Sequence, residues 1–208
     1  DEYFSRNEPT WLPSKFYGAF FGLVRNVVDK ARLTMTDLAN EAETDNMIAH
    51  FGLWGDLAAI SDEADISMNL LADQLAKCAG RILVNSDRAY DRNGIIDFTD
   101  MLYIPVKYGL AVASYDVVLV DEAQDLNAAQ LELVMKAAGK FGRTICVGDK
   151  FQAINGFAGA DTESFAKIVA RTNAVELPLS ICYRCPTSHI DLAKKIVTAI
   201  EAAPGAAD

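Results

Sequence analysis

A strand–helix–strand pattern in the second half of the chain limits the possible folds more than any other feature. The run Val117–Val120 is continuously apolar, which is typical of a strand covered on both faces. Asn127 and Gln130 form a capping-box sequence that predicts the start of a helix, and Gly139 suits its end. Residues 144–147 form a second apolar run and predict another strand. A helix that joins two such strands predicts parallel pairing with a right-handed crossover, and therefore an α/β fold.

The rest of the chain divides by composition and periodicity. Residues 13–92 carry apolar side chains at helical spacing and few β-branched runs, so residues 1–92 are predicted to form a mainly helical region. Residues 93–201 hold the strands, including a further strand candidate at 175–179 and a last helix from about Thr187. Residues 202–208 are rich in Ala, with Pro and Gly, and are predicted to be a flexible tail.

Polar clusters follow both predicted strands. Residues 121–125 read Asp-Glu-Ala-Gln-Asp and residues 148–152 read Gly-Asp-Lys-Phe-Gln. Parallel strands bring their carboxyl ends to one edge of a sheet, where ligands of open α/β folds bind. At such an edge Asp121 can hold Mg²⁺, usually through a water, and Glu122 can orient and deprotonate the attacking water. The alternative is that both acids simply cap the helix that follows.

Four segments in order resemble the UvrD/Rep-type superfamily 1 DNA helicases, including bacteriophage members. Residues 121–125 resemble their motif II, residues 147–161 motif III and residues 179–186 motif IV. Residues 96–102 resemble the Asp-Phe-x-Asp-Leu-Leu segment before motif II. The resemblance implies a partial RecA-like parallel sheet with flanking helices, and it extends loosely to residues 1–92 as the family's helical 1B-like subdomain.

The resemblance also implies a role for each matching residue. Asp121 would bind Mg²⁺ and Glu122 would be the general base for ATP hydrolysis. Gln152 would contact the γ-phosphate, and Arg184 would clamp it as an arginine finger within the chain. Tyr183 would stack on the adenine. The alternative is that Tyr183 is an aromatic residue that packs in the fold and that Arg184 is an ordinary surface cation. ATP and Mg²⁺ are therefore the expected cofactors.

Single-stranded or partly duplex DNA is the partner that the resemblance implies. Phe157 stands where the family places an aromatic against a base, and Asn155 in the same loop, at a position where many members have Tyr, is assigned to DNA with it. Phe157 could instead be a core aromatic between glycines. Ala158 replaces an Arg of UvrD and Rep, which weakens the predicted link between phosphate sensing and DNA. The net charge of −10 also opposes tight DNA binding by this chain alone.

The phosphate-binding sequence G-x-x-x-x-G-K-[ST] does not occur in the chain. We therefore expect the isolated chain to hydrolyse ATP poorly or not at all. Two other functions stay open: a non-catalytic helicase-derived module that binds DNA or an unidentified protein, and a metal nuclease that uses Asp121, Glu122 and Asp125. The second is weaker, because nucleases usually assemble further carboxylates and a Lys.

The remaining features concern compartment and cysteine chemistry. No apolar run reaches the roughly 20 residues that span a membrane, and the four scattered cysteines suggest no disulfide framework. A cytoplasmic protein of a bacterial or phage-infected cell is expected. Cys182 and Cys185 form a C-x-x-C pair, a spacing found in zinc and redox sites, but the sequence has no second pair and His189 is a single further candidate, so metal binding is disfavoured.

Overall fold

A computed structural model describes residues 10–152 and 164–208. They form two units, the first ending at Lys167 and the second comprising Ile168–Asp208. The described residues are mostly helical, with short strands in parallel pairs, which confirms a mixed α/β chain. In chain order the elements are α1 (Tyr17–Thr34), α2 (Glu41–His50), α3 (Leu53–Ala64), α4 (Met68–Asn93), α5 (Asp100–Lys107), β1 (Val117–Val120), α6 (Ala128–Ala138), β2 (Arg143–Cys146), α7 (Ser164–Thr172), β3 (Ile181–Cys182), α8 (Thr187–Ala193) and β4 (Glu201–Ala202).

The core of the first unit lies among its amino-terminal helices. Helix α1 packs against α2, α3 and α4, and also contacts α5 and α6. Apolar side chains at helical spacing along these helices are fully buried, which explains why the predicted helical region folds as a bundle. The largest of them are Phe20, Val24, Val27, Leu57, Leu71 and Leu75.

Local signals end and begin these helices. Asn40 accepts a hydrogen bond from the backbone N–H of Glu43 at 3.3 Å and so caps α2. Helix α4 ends at Asn93 and is capped by Gly94, whose φ of +62° is a left-handed conformation that glycine adopts without a Cβ clash. The bounds of the bundle therefore follow from ordinary capping chemistry.

The predicted strand–helix–strand unit is confirmed. β1 and β2 pair in parallel, with Val117 opposite Arg143 and Val120 opposite Cys146. Between them, α6 begins with the complete capping box of Asn127 and Gln130. It packs on both strands and is the helix of the crossover that joins them; the right-handed sense of that crossover stays a prediction.

One expectation for these strands is wrong. The outer face of β1 is exposed, with 52% of Val117 and 73% of Leu119 accessible to solvent, and Ile145 on β2 is 44% exposed. Alternate residues of a strand point to opposite faces, and α6 covers one face only, where Val120 is buried. The apolar run therefore predicts the strand correctly but not a cover on both faces.

The second unit differs from its predicted secondary structure in two places. Residues 175–179 form no strand; instead, β3 begins at Ile181 and pairs in parallel with β4. Pro178 has no backbone N–H to donate to a ladder, which opposes a strand at that position. The apolar positions 190, 193, 197 and 200 predict a last helix that reaches residue 200, but α8 ends at Ala193. The chain then turns so that the Glu201 N–H reaches the Ser180 carbonyl at 2.7 Å.

The carboxyl-terminal residues form backbone contacts with other parts of the second unit. Ala202 pairs with Cys182, and the Ala207 carbonyl accepts a hydrogen bond from the Thr187 N–H at 2.8 Å. The flexibility of residues 202–208 and the division between residues 92 and 93 both stay predictions.

Within residues 10–152 and 164–208, no helix has the length and apolar character needed to cross a membrane.

Candidate active site

The carboxyl end of β1 carries two exposed acids in an unusual backbone conformation. Asp121 and Glu122 follow Val120 directly, and both side chains are exposed. Glu122 has a φ of +50°, in the left-handed region that non-glycine residues rarely adopt. Its backbone N–H donates to Asp121 Oδ1 at 2.9 Å, which helps to hold this conformation. Such strain costs about 1–3 kcal/mol and is concentrated at functional sites.

A buried amide joins this turn to the end of β2. Gln124 is 2% exposed, and its Nε2 donates to Glu122 Oε2 at 2.7 Å. Its Oε1 accepts the backbone N–H of Asp149 at 3.0 Å. The backbone continues the link, because the Ala123 N–H donates to the Val147 carbonyl at 2.9 Å. The two predicted polar clusters therefore lie side by side at one edge of the sheet.

Gly148 allows this close approach. A Cβ at residue 148 would lie 2.3 Å from Gln124 Oε1 and 2.9 Å from the Ala123 nitrogen. Both distances are shorter than an ordinary van der Waals contact. The second is to a backbone atom, which cannot move aside as easily as the end of a side chain. Any larger residue would therefore displace Gln124 or the β1 turn.

Asp149 extends the hydrogen-bonded chain to Gln152. Its Oδ2 accepts a bond from Gln152 Nε2 at 2.9 Å, and its Oδ1 accepts the Phe151 N–H at 2.9 Å. Gln152 is exposed and its backbone N–H bonds the Asp149 carbonyl. Gln152 and Glu122 are thus connected through Asp149 and Gln124. Sequence reasoning assigned no role to Gln124 or Asp149, although both lie within the quoted motifs.

Asp125 contains an unusual polar atom. Its Oδ1 is buried and has no hydrogen-bond partner among the described residues. An unsatisfied buried acceptor is costly, by about 1–3 kcal/mol, and is uncommon in native structures. The described residues therefore leave one hydrogen-bond acceptor of the turn after β1 without a donor.

The donor set fits a magnesium ion that arrives with a nucleotide. In the described residues, no group of three or more His, Cys, Asp or Glu side chains could hold a metal ion. Mg²⁺ usually binds through one or two carboxylates, waters and substrate phosphates rather than an all-protein cage. The exposed Asp121 carboxylate suits that arrangement, whereas a nuclease site would need more carboxylates around the ion.

The other predicted site residues belong to the second unit or fall outside the described residues. Tyr183 and Arg184 belong to the second unit, where both side chains are exposed directly after β3. Their placement beside the carboxylates of the first unit stays a prediction. Asn155 and Phe157 lie outside the described residues, so their DNA contacts also stay predictions.

The Asp-Phe-x-Asp segment before β1 is held by a buried arginine that sequence reasoning missed. Arg32 is 3% exposed and donates to Asp97 Oδ2 at 2.7 Å; its guanidinium also lies 3.6 Å from Asp100 Oδ1. Asp97 and Asp100 each accept the other's backbone N–H, at 2.8 and 3.0 Å. Burial acts to raise the pKa of Asp97, but the Asp100 N–H and the Arg32 guanidinium bring it below its usual value. The Asp-x-x-Asp spacing was an available signal for the reciprocal bonds of this turn, whereas no sequence signal pointed to Arg32.

The chain is similar in sequence to known DNA helicases. Residues 26–172 match the model of the UvrD/REP helicase N-terminal domain. The chain is 31% identical over 115 residues to DNA helicase II of Haemophilus influenzae, covering 51% of this chain and 16% of that protein. It is 31% identical over 121 residues to ATP-dependent DNA helicase PcrA of Staphylococcus aureus, covering 53% and 16%. A PcrA of Staphylococcus epidermidis is 34% identical over 85 residues, covering 37% and 12%.

These matches cover a large part of the chain but a small part of its relatives. The chain spans about one sixth of the length of the first two relatives. The family match includes both polar clusters at the sheet edge, whereas Tyr183 and Arg184 lie beyond its last residue. Because residues 26–172 make up more than half of the 208 residues, the chain belongs to the UvrD/REP helicase family.

Proposed function

We propose that this chain supplies the Mg-ATP-hydrolysing carboxylates, and single-stranded DNA contacts, of an ATP-dependent DNA helicase or translocase. Residues 93–201 would form part of a RecA-like motor domain, and residues 1–92 a 1B-like helical subdomain. The named relatives are ATP-dependent or DNA helicases.

One observation carries the proposal: the hydrogen-bonded chain that joins Glu122 to Gln152. It runs from Glu122 Oε2 through the Gln124 amide to the Asp149 backbone, and from the Asp149 carboxylate to the Gln152 amide. A general base and a phosphate sensor need to respond to one another. These three hydrogen bonds, linked through Asp149, are a physical route by which a displacement of Gln152 can reorient Glu122.

The turn after β1 supports separate roles for its two acids. Gln124 holds one oxygen of the exposed Glu122 carboxylate, and the other oxygen would accept a proton from the attacking water. Asp121 remains exposed beside it and would hold the metal. When bound, Mg²⁺ supplies charge neutralisation on the phosphates. The positive φ of Glu122 keeps both carboxylates at the tip of one turn.

The remaining assignments rest on the motif positions. Arg184 would clamp the γ-phosphate and Tyr183 would stack on the adenine, and the exposure of both side chains leaves them free to reach a ligand. Phe157 and Asn155 would contact single-stranded DNA. Stacking on an aromatic tolerates any base sequence, as a translocase requires.

A second candidate function is a non-catalytic, helicase-derived interaction module. It is favoured by the missing G-x-x-x-x-G-K-[ST] sequence, because phosphates would lack their usual cradle of N–H groups and Lys. The isolated 208-residue chain is therefore expected to show no DNA-stimulated ATP hydrolysis above a buffer control. Robust turnover by this chain alone would contradict that expectation and remove the case for the module.

The test of the first function is DNA-stimulated ATP hydrolysis by the natural full-length protein with Glu122→Gln. Loss of a general base is expected to lower kcat by roughly 10²- to 10⁴-fold, with nucleotide binding retained. Glu176→Gln, at an exposed position outside the proposed site, is the matched control and should leave turnover unchanged. Undiminished turnover in Glu122→Gln would refute the assigned base.

A further inference from the structure

The long helix α4 carries a row of exposed cations along one side. The row consists of Lys77, Arg81, Arg88 and Arg92, and all four side chains are exposed. At 3.6 residues per turn these positions lie within about 60° of one another around the helix axis, and they extend over roughly 22 Å of its length. We call this row the α4 strip. Neither the proposed ATP chemistry nor the proposed single-strand contact uses it.

Helix α4 packs in the bundle through a different face. Leu71, Leu75 and Ala79 are completely buried in the core that α4 shares with α1 and α3. These three positions lie about 130° around the helix from the centre of the α4 strip. The cations of the strip therefore point away from the core, and the packing of the bundle does not account for them.

The carboxylates of the same helix lie to one side of the strip. Asp73, Asp87 and Asp91 are displaced by about 70–110° from the centre of the strip around the helix axis. Asp87 bonds Lys107 of α5 rather than a cation of the strip. Asp73 accepts a bond from Lys77 at 2.7 Å, so one end of the strip is neutralised.

The three arginines of the strip are not neutralised in this way. Among residues 10–152 and 164–208, no carboxylate forms an ion pair with Arg81, Arg88 or Arg92. Arg88 and Arg92 are four residues apart, and like charges at that spacing destabilise a helix. The whole chain has a net charge of −10, so its composition does not explain a local excess of positive charge. An anionic partner would explain it.

A cleft lies along the strip between its first two arginines. It has a volume of about 430 Å³ and is lined by Gly80, Arg81, Val84, Asn85 and Arg88. The lining thus combines two guanidinium groups with an exposed amide and with Val84, which is 47% exposed. Guanidinium groups bind phosphate oxygens in a bidentate manner, and Asn side chains also donate to phosphates and sugars. The cleft therefore suits a chain of phosphates that runs along the helix.

Duplex DNA fits this surface better than a single strand or an acidic protein does. Proteins usually hold single strands by stacking the bases on aromatic side chains, and no aromatic residue belongs to the strip or to the lining of its cleft. A duplex carries one negative charge per roughly 1.7 Å of its axis, which is dense enough to face all three arginines at once. An extended acidic polypeptide carries at most one charge per roughly 3.3 Å.

We propose that Arg81, Arg88 and Arg92 bind the phosphate backbone of duplex DNA along the α4 strip. Contacts to phosphates position a duplex without reading its bases, so the binding is independent of base sequence. The use of this contact during translocation rests on the proposed function. The binding itself requires neither ATP nor Glu122, and measuring it without nucleotide distinguishes failure of the strip from failure of the proposed general base.

The test measures binding of the full 208-residue chain to a fluorescein-labelled duplex by fluorescence anisotropy at increasing salt concentration. Each phosphate contact adds about 0.9 to the magnitude of the slope of log affinity against log salt concentration. Arg81→Gln combined with Arg88→Gln should therefore lower this magnitude by about 1.8. Over a four-fold rise in salt, the wild-type affinity should fall about 12-fold more than that of the double variant, whatever the base sequence of the duplex.

Two further double variants control for net charge and for folding. Lys140→Gln combined with Arg143→Gln removes two exposed cations of the first unit that lie outside the strip, and should keep the wild-type slope. Arg81→Lys combined with Arg88→Lys keeps both charges and should keep most of the slope, because Lys also binds phosphates as a point charge. All these substitutions are at exposed positions, so each variant should melt near the wild-type temperature.

Several results would overturn the proposal. One is undetectable duplex binding by the wild-type chain at low salt, and another is an unchanged slope after Arg81→Gln combined with Arg88→Gln. Equal loss in the variant of Lys140 and Arg143 would assign the effect to net charge rather than to the strip. A greater loss for a single strand than for a duplex of the same length would assign the strip to single strands. Displacement of the duplex by poly-glutamate at equal charge concentration would instead indicate an acidic protein.

Discussion

The helical bundle and the two-stranded sheet of the first unit bury their apolar side chains to different extents. In the bundle, Phe20 and Leu57 are completely buried, and α1 is surrounded by other helices. In the sheet, Leu119 is 73% exposed and Ile145 is 44% exposed. The bundle thus completes its own core, whereas the sheet is packed on one face.

This difference separates stability from chemistry. The candidate site is held less by apolar packing than by polar bonds that Gln124 makes between the ends of β1 and β2. Regions with few buried apolar contacts open at lower free energy than a packed core. We therefore expect bundle substitutions to change global unfolding and sheet-edge substitutions to change the site locally.

The largest expected effect comes from shortening one leucine in each region. Leu75 is 0% exposed in the bundle, so Leu75→Ala should lower the free energy of unfolding by about 2–5 kcal/mol through lost burial and a cavity. The matched Leu119→Ala change removes an exposed side chain and should alter stability by less than about 0.5 kcal/mol. Urea denaturation followed by circular dichroism measures both.

Equal destabilisation by the two leucine variants would contradict the difference in burial between the bundle and the sheet. It would mean that the outer face of β1 is covered in solution. A small effect of Leu75→Ala alone would instead show that the bundle is not the main source of stability.

A smaller effect is expected when an alanine replaces a glycine in each region. Gly148→Ala places a Cβ 2.3 Å from Gln124 Oε1 and 2.9 Å from the Ala123 nitrogen, and should cost about 1–3 kcal/mol through overpacking. Gly80 lies inside α4, and a Cβ there meets nothing within 4 Å. Gly80→Ala should therefore be neutral or stabilise the chain by up to about 1 kcal/mol.

Amide hydrogen exchange measures the local effect of these two glycine variants on the candidate site. The Asp149 amide donates to Gln124, so its protection should fall in Gly148→Ala and persist in Gly80→Ala. Unchanged protection of Asp149 in Gly148→Ala would show that Gln124 does not hold the two strand ends together.

The same two regions show which features can be predicted from a sequence. Asn127, Gln130 and Gly139 act within one helix, so local capping rules located α6 correctly. The apolar run of β1 predicted a strand, but its cover depends on which elements pack there, and Leu119 is exposed as a result. Local patterns specify elements, whereas burial is a property of the assembled fold.

Long-range polar contacts were the least predictable part of the site. The bond from Gln124 to Asp149 joins residues 25 positions apart, and that from Arg32 to Asp97 joins residues 65 positions apart. No spacing rule relates such partners. The motifs located the acids of the candidate site, but not the amide that connects its two halves or the arginine that anchors the preceding segment.

The smallest expected effect concerns the polar link between the bundle and the segment before β1. Asp97 bonds Arg32, and its pKa is below the usual 3.8, so its charged form stabilises the fold. Such a contribution is complete above pH 3.8 and is lost as the pH falls through the lower folded-state pKa. Asp97→Asn should therefore cost about 1 kcal/mol near neutral pH, a value reduced because the carboxylate is partly exposed. The difference from wild type in free energy of unfolding should shrink below pH 3.8.

The matched control is Asp73→Asn, which removes an exposed ion pair with Lys77 on one helix and should change stability by less than about 0.5 kcal/mol. A gap between Asp97→Asn and wild type that stayed constant down to acid pH would show that charge on Asp97 does not secure this link.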